Sequence, residues 1–322
     1  MTARPHDALF KWAFEAPTDA AALLRELLPP TISEAIAWET VEDARSSFVD
    51  LTLGDHHSDL LFAARLRTGE PDFAYLLLEH QSTDDASMPL RMLSYQAQIW
   101  ARFRKDQAEA SLPPVLGVLI SHCTGGWTSA RSFQQLLHGD VMAIPGMADL
   151  VPRFSMIVED LAVRSDDDLR ARSLGPFHKV ALWLLRDSRD PVRLLDGFDA
   201  WTPTIIEAGQ TRSGADAMKV MIQYLFEVLD PVYFDLIRAK LRKLGTRSRE
   251  IAMTIAEYLE EQGRTKGRAE GLVAALRRLL VYKFQALDAA AEARLQAATP
   301  EAVDRYLQRV LTADSLAAVF DD

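Results

Sequence analysis

Between Trp38 and Gln81 apolar residues recur at every second position, whereas on either side they recur at helical spacing. A period of two commits a segment to strands with one face against a core, because successive strand side chains alternate between faces. Three runs carry it: Val49, Leu51 and Leu53, then Ser58 to Leu66, then Phe73 to Gln81. They predict a three-stranded antiparallel region. Upstream, residues 6–28 read as helix, interrupted at Ala16-Pro17 with Thr18 as a candidate N-cap and stopped by Pro29-Pro30. Downstream, Ser87 caps a helix that Pro89 admits in its first turn and that runs to about Lys105. Residues 114–121 (PVLGVLIS) read as a buried central strand broken by Gly125-Gly126, and Arg153 to Val158 as another strand. The expected fold class is α/β, a mixed sheet flanked by helices.

From about residue 160 the spacing is helical throughout: 165–188, 190–210, 213–227, 231–243, 247–281 and 287–319. At 322 residues the chain exceeds a single typical domain, and the expected division is a core over 1–160, a helical region packed on it over 161–245, and a helical tail over 246–322. In the tail Gly263, Gly267 and Gly271 stand four apart on one helical face, flanked by Arg264, Lys266 and Arg268. Such a stripe suits self-association, although the rule behind it belongs to membranes.

A net charge of −10 argues against coating nucleic acid by bulk electrostatics, so contact with DNA requires a local patch. Lys240, Arg242, Lys243, Arg247 and Arg249 form one such cluster. The single cysteine, Cys123, reads as structural and forms no internal disulfide. With no zinc spacing, no secretory start and no membrane-length apolar run, a cytoplasmic protein free of membrane is expected.

Thr68-Gly69 marks a turn between the last two strand runs. If Leu66 lies opposite Asp72, the same pairing sets Asp59 opposite Glu79. Glu79 and Gln81 then share that face, while Leu60, Phe62, Leu76 and Leu78 take the other. Facing carboxylates cost up to about 1 kcal/mol unless something neutralises them, which a divalent cation does. The competing reading is two solvated carboxylates at a strand end, and a one-residue slip would separate the pair. A hard cation on two carboxylates polarises a phosphate and acidifies a bound water, with a third polar group placing that water. Gln81 in that role orients by hydrogen bonding but adds no charge, so catalysis would be slow. His56 and His57 read as loop histidines, and Asp166, Asp167 and Asp168 as a helix N-terminus.

HDALFKWAF at 6–14, FVD with SDLLF through 62, YLLLEHQS at 75–82 and MPLRMLSY at 88–95 together resemble the Rpn family of recombination-promoting nucleases, also labelled YhgA-like transposases. The similarity extends through Pro114 to Trp127 and FSMIVEDL. It implies a PD-(D/E)xK nuclease core: a Mg²⁺-dependent DNA endonuclease of low sequence specificity, with Mn²⁺ or Ca²⁺ as alternative ions, that promotes recombination. By the resemblance Asp59 and Glu79 are metal ligands, Gln81 is the third catalytic residue in place of the superfamily's lysine, and the His80 backbone carbonyl is a further metal contact. Asp7, with His6 and Lys11, matches the N-terminal helix motif, where an acidic residue completes the metal shell. Arg91 and Tyr95 match the helix after the E-x-Q strand and, with Arg102 and Gln98 on the same face, are candidates to grip DNA phosphate; for Arg102 and Gln98 a solvated polar face is the equal alternative. A homodimer is expected from the habits of nucleases that cut both strands. The alternative is a catalytically inactive nuclease-fold module for DNA binding or oligomerisation, which the neutral Gln81 keeps open.

Overall fold

The computed structural model describes residues 5–45, 60–67 and 73–320. Three short helices open the chain, α1 (Pro5–Phe14), α2 (Pro17–Leu27) and α3 (Pro30–Ala35). Each begins on proline, whose fixed φ and missing N–H suit a first helical turn. The N-cap of α2 is Ala16, not Thr18, because Pro17 already stands inside the helix.

Strands β1 (Glu42–Asp43), β2 (Leu60–Arg65), β3 (Phe73–Gln81), β4 (Val115–Ser121) and β5 (Ile157–Asp160) form one five-stranded mixed sheet in the order β1-β2-β3-β4-β5. β1, β2 and β3 run antiparallel, and β3, β4 and β5 run parallel. The expected first strand, Val49 to Leu53, lies outside the described residues. β2 instead pairs on its outer side with Glu42 and Asp43. β5 begins at Ile157 rather than Arg153, although Ser155 makes an isolated bridge to Ser132.

Helix α4 (Met88–Asp106) crosses over between β3 and β4. It covers the face carrying Leu61, Tyr75, Leu77 and Leu119 with Met88, Met92, Tyr95, Ile99 and Phe103. Gly117 permits this approach, since a Cβ there would stand 3.1 Å from Met92 Sδ. Ser87 is the N-cap of α4, yet its hydroxyl donates to Asp85 Oδ1 at 2.7 Å instead of capping the helix. Between β4 and β5 lies the single-turn α5 (Gly139–Met142).

The remaining elements are helical: α6 (Asp166–Ala171), α7 (Pro176–Asp187), α8 (Pro191–Gln210), α9 (Gly214–Val228), α10 (Phe234–Leu241), α11 (Thr246–Phe284), α12 (Ala289–Ala297), α13 (Pro300–Thr312) and α14 (Leu316–Phe320). The single helix expected over 165–188 is two, because Gly175-Pro176 ends one and starts another. Thr299-Pro300 likewise breaks the helix expected over 287–319. The acidic run does begin a helix, with Ser165 and Asp168 closing a capping box. α1 packs on α7 and α9.

The chain divides into two compact units, Met1–Met253 and Thr254–Asp322. The second has its own apolar core, centred on Leu276, Leu280, Leu295, Val303, Val310 and Val319. Among the described residues no helix is long and apolar enough to cross a membrane.

Candidate functional site

The described β2–β3 pairing runs from Arg65↔Phe73 to Leu60↔Leu78, the register that the sequence predicts. Asp59, the next residue outward, lies outside the described residues, as do His56 and His57. Glu79 is fully buried on the α4 side of β3. Its Oε1 accepts from Gln81 Nε2 at 2.6 Å and from Arg91 Nη2 at 3.0 Å. Two residues apart on a strand place Glu79 and Gln81 on one face, and the crossover brings the first turn of α4 above them.

Arg91 bridges two carboxylates. Its other nitrogen, Nη1, donates to Asp85 Oδ2 at 2.9 Å, while Nη2 also reaches Tyr95 Oη at 3.2 Å. Burial would lower the guanidinium pKa, but Glu79, Tyr95 and Asp85 reverse this and raise it, so Arg91 is a fixed cation. Burial likewise would raise the Asp85 carboxyl, and hydrogen bonds from Ser87 and Arg91 hold it below its ordinary value. Asp85 escaped the sequence reading; the only trace of it there is the Asp-x-Ser turn ahead of Pro89.

His80, between Glu79 and Gln81, turns to the opposite face. Its ring stacks on Phe10 at 4.6 Å and on His122 at 4.8 Å, and its Nδ1 lies 3.4 Å from Asp7 Oδ1. His6 sits edge-on to His122 at 4.9 Å, and its Nδ1 is 2.8 Å from Tyr224 Oη, which in turn donates to Ser188 Oγ at 2.7 Å. Asp7 thus meets β3 from the side opposite Glu79, at the His80 ring. Lys11 lies farther along α1, within electrostatic reach of Asp43, whose carboxyl is held low first by Arg45 and only lastly by Lys11.

Of the expected phosphate-gripping residues, Arg91 is engaged with Glu79 and Asp85, Tyr95 is buried beside it, and Arg102 lies 3.7 Å from Asp106 one helical turn on. In the basic cluster Lys240 and Lys243 both pair with Asp199, at 3.0 and 3.2 Å. The Arg247 side chain lies outside the described residues. Cys123 is buried, and burial pushes its thiol pKa up, which makes it a poor nucleophile. Among the described residues no group of three or more His, Cys, Asp or Glu side chains is arranged to hold a metal ion.

Fold and site together define a mixed α/β protein whose candidate centre is an E-x-Q strand end gripped by an arginine from the crossover helix. The chain belongs to the family described as "Putative transposase, YhgA-like", whose model matches residues 4–212. It is 27% identical over 263 residues to the recombination-promoting nuclease RpnA of Escherichia coli strain K12, covering 82% of this chain and 86% of that one. It is 27% identical over 259 residues to the recombination-promoting nuclease RpnD of Escherichia coli O157:H7, covering 80% and 95%. It is also 25% identical over 271 residues to the inactive recombination-promoting nuclease-like protein RpnE of strain K12, covering 84% and 86%. No solved structure matches the chain.

Proposed function

We propose that the chain is a metal-dependent endonuclease of the PD-(D/E)xK type, which hydrolyses DNA phosphodiester bonds with low sequence specificity and so promotes recombination. The observation that carries this is Glu79, a fully buried carboxylate at the carboxyl end of a central strand, bonded to Gln81 two residues on. Relatives named recombination-promoting nucleases align along four-fifths of the chain.

The donors suit a hard cation in kind: the Glu79 carboxylate and the His80 backbone carbonyl, with Asp59 as the further oxygen, while Asp7 stands on the other side of β3 at the His80 ring. Mg²⁺ is the proposed ion, with Mn²⁺ or Ca²⁺ able to substitute; bound there, it would polarise the phosphate and acidify a water. The remaining work falls to side chains. The Gln81 amide already donates to Glu79, which leaves its oxygen to accept a hydrogen bond from a water. Being neutral, Gln81 adds no stabilisation to a developing negative charge, and slow turnover follows. Arg91 can exchange Asp85 for a phosphate oxygen while keeping its bond to Glu79. Buried Tyr95 orients Arg91, and Arg102 and Lys11 supply charge farther out. The proposed assembly is a homodimer in the cytoplasm.

A catalytically inactive module for DNA binding or oligomerisation is the second reading. Arg91 already neutralises Glu79, and relatives including RpnE are named inactive. Supercoiled plasmid incubated with the full chain separates the two. The endonuclease gives nicked or linear product with Mg²⁺, none with EDTA, and none from Asp59→Ala or Glu79→Gln. Intact plasmid with Mg²⁺, Mn²⁺ and Ca²⁺ alike makes the inactive module the better account.

A further inference from the structure

One residue beyond the Gln81↔Ser121 pair, the chain leaves β4 at His122 and enters a cavity of about 320 Å³ on the α7 side of the sheet. Its walls are His122 to Gly125, the loop after β5 at Ala162 and Val163, and the junction of α7 and α8. Three arginines line it, Arg186, Arg189 and Arg193, against one carboxylate, Asp190.

These charges have different freedom. Arg186 is saturated by Asp187, Asp166 and the Arg164 carbonyl, so it acts as wall. Arg193 binds Asp187 Oδ1 through Nε at 3.0 Å and is half exposed. Arg189 makes no ion pair or hydrogen bond with any described residue. Its field reaches inward: after burial itself, Arg189 is the next cause of the His6 pKa falling to about 4. Asp190, whose Oδ1 caps α8 by accepting from the Arg193 N–H at 3.0 Å, is the single carboxylate on this lining against the three arginines.

The opposite wall offers donors. The Thr124 hydroxyl and the backbone N–H groups of Thr124 and Gly125 donate to no described residue. Their loop is fixed, since Asp160 Oδ2 accepts the Trp127 N–H at 2.7 Å and Gly126, at φ 87°, leaves room for that carboxylate. His122 is buried in the floor, its ring nitrogens making no well-formed hydrogen bond apart from a weak contact with the Leu185 backbone. A more open cavity of about 620 Å³ beyond Arg186 and Arg193 is rich in carboxylates, Asp166, Asp187, Asp190 and Asp196, and suits no anion.

We infer that the cavity between the β4 loop and the α7–α8 junction is a phosphate-binding site, in which Arg189 and Arg193 face the Thr124-Gly125 loop across a bound phosphate group. A forked guanidinium opposite backbone N–H groups matches the tetrahedral oxygens of phosphate. The group can belong to a free phosphate compound or to a nucleic-acid strand running along the carboxyl edge of the sheet. The site stands apart from the nuclease reading, and only its nucleic-acid source rests on that reading.

The test uses the full chain and the variants Arg189→Gln and Glu79→Gln. Titration with inorganic phosphate, against sodium chloride at matched ionic strength, is followed by calorimetry and by melting temperature. Binding is expected in the wild type and unchanged in Glu79→Gln, with affinity about tenfold weaker in Arg189→Gln, the loss of one charge-assisted contact. Equal phosphate affinity in Arg189→Gln, no phosphate effect beyond chloride, or loss of binding in a Glu79→Gln variant that keeps its cooperative melting transition each overturns the inference. A single-stranded oligonucleotide then identifies the source. If it displaces phosphate and binds more weakly to Arg189→Gln, the phosphate is that of nucleic acid; if its affinity is the same in both, the site takes a free phosphate compound. Loss of plasmid cutting in Glu79→Gln reports on the nuclease reading alone.

Discussion

Glu79 and Arg91 form a pair in which neither partner stands alone without cost. Glu79 is fully buried and Arg91 mostly so. Removing one member of a buried pair costs about 3 kcal/mol, chiefly because the other is left uncompensated. Arg91→Met should therefore lower the stability measured by urea denaturation by about that amount. Adding Glu79→Gln to it should recover most of the loss; if the two effects simply add, the pair is not coupled. The strand end was legible in the sequence because Glu79 and Gln81 obey an alternation that local chemistry imposes. In the sequence Arg91 reads as a candidate phosphate grip on a helix face, not as the partner of Glu79. Its selection of Glu79 and Asp85 over solvent is a tertiary contact that no spacing encodes. Arg189 carries no sequence signal for the same reason: its significance lies in what surrounds it in space.

Among elements, prolines open several helices, and polar side chains at Ser165, Asp190 and Thr299 cap others or the same ones. Pro17, Pro176, Pro191 and Pro300 each stand in a first turn, whereas Thr18 and the Ser87 hydroxyl do not cap. Apolar period alone ran α6 into α7, because Leu169 and Phe177 are both buried across the break. Those two helices are tied by Asp166, on α6, to Arg186, on α7. Burial would raise the Asp166 carboxyl, but the bond and charge of Arg186, together with Trp201 and Arg170, outweigh it and the pKa is lowered. A carboxyl lowered in the folded state contributes stability above its unfolded pKa and loses it as pH falls through the folded value. Asp166→Asn should thus destabilise the protein at neutral pH by less than about 1 kcal/mol, as expected of a partly exposed pair. That difference should shrink to nothing as acid protonates the wild-type group. A difference that persists below the carboxylate range would assign the effect to packing.

Over the whole molecule, two units with separate cores imply two cooperative transitions. Leu280 is fully buried among Leu276, Leu295 and Val310 in the second unit. Leu280→Ala should cost that unit about 2–5 kcal/mol. Calorimetry should show one transition moving down while the other holds its temperature; a concerted shift of both would mean that the units unfold as one. The shift from α/β to helix near residue 160 was readable from the apolar period, as was the pairing of β2 with β3. The two-residue β1 was not, being too short to carry a period.

The bond between His6 and Tyr224 spans 218 residues. On the ribosome, α1 emerges first and waits for α9, roughly 10–45 s at ordinary rates of synthesis. During that interval the back of β3 has Phe10 of α1 against His80 but not the α7 and α9 on which α1 packs. A message cut short before that point yields an α1 whose His6 lacks the Tyr224 hydroxyl that holds it.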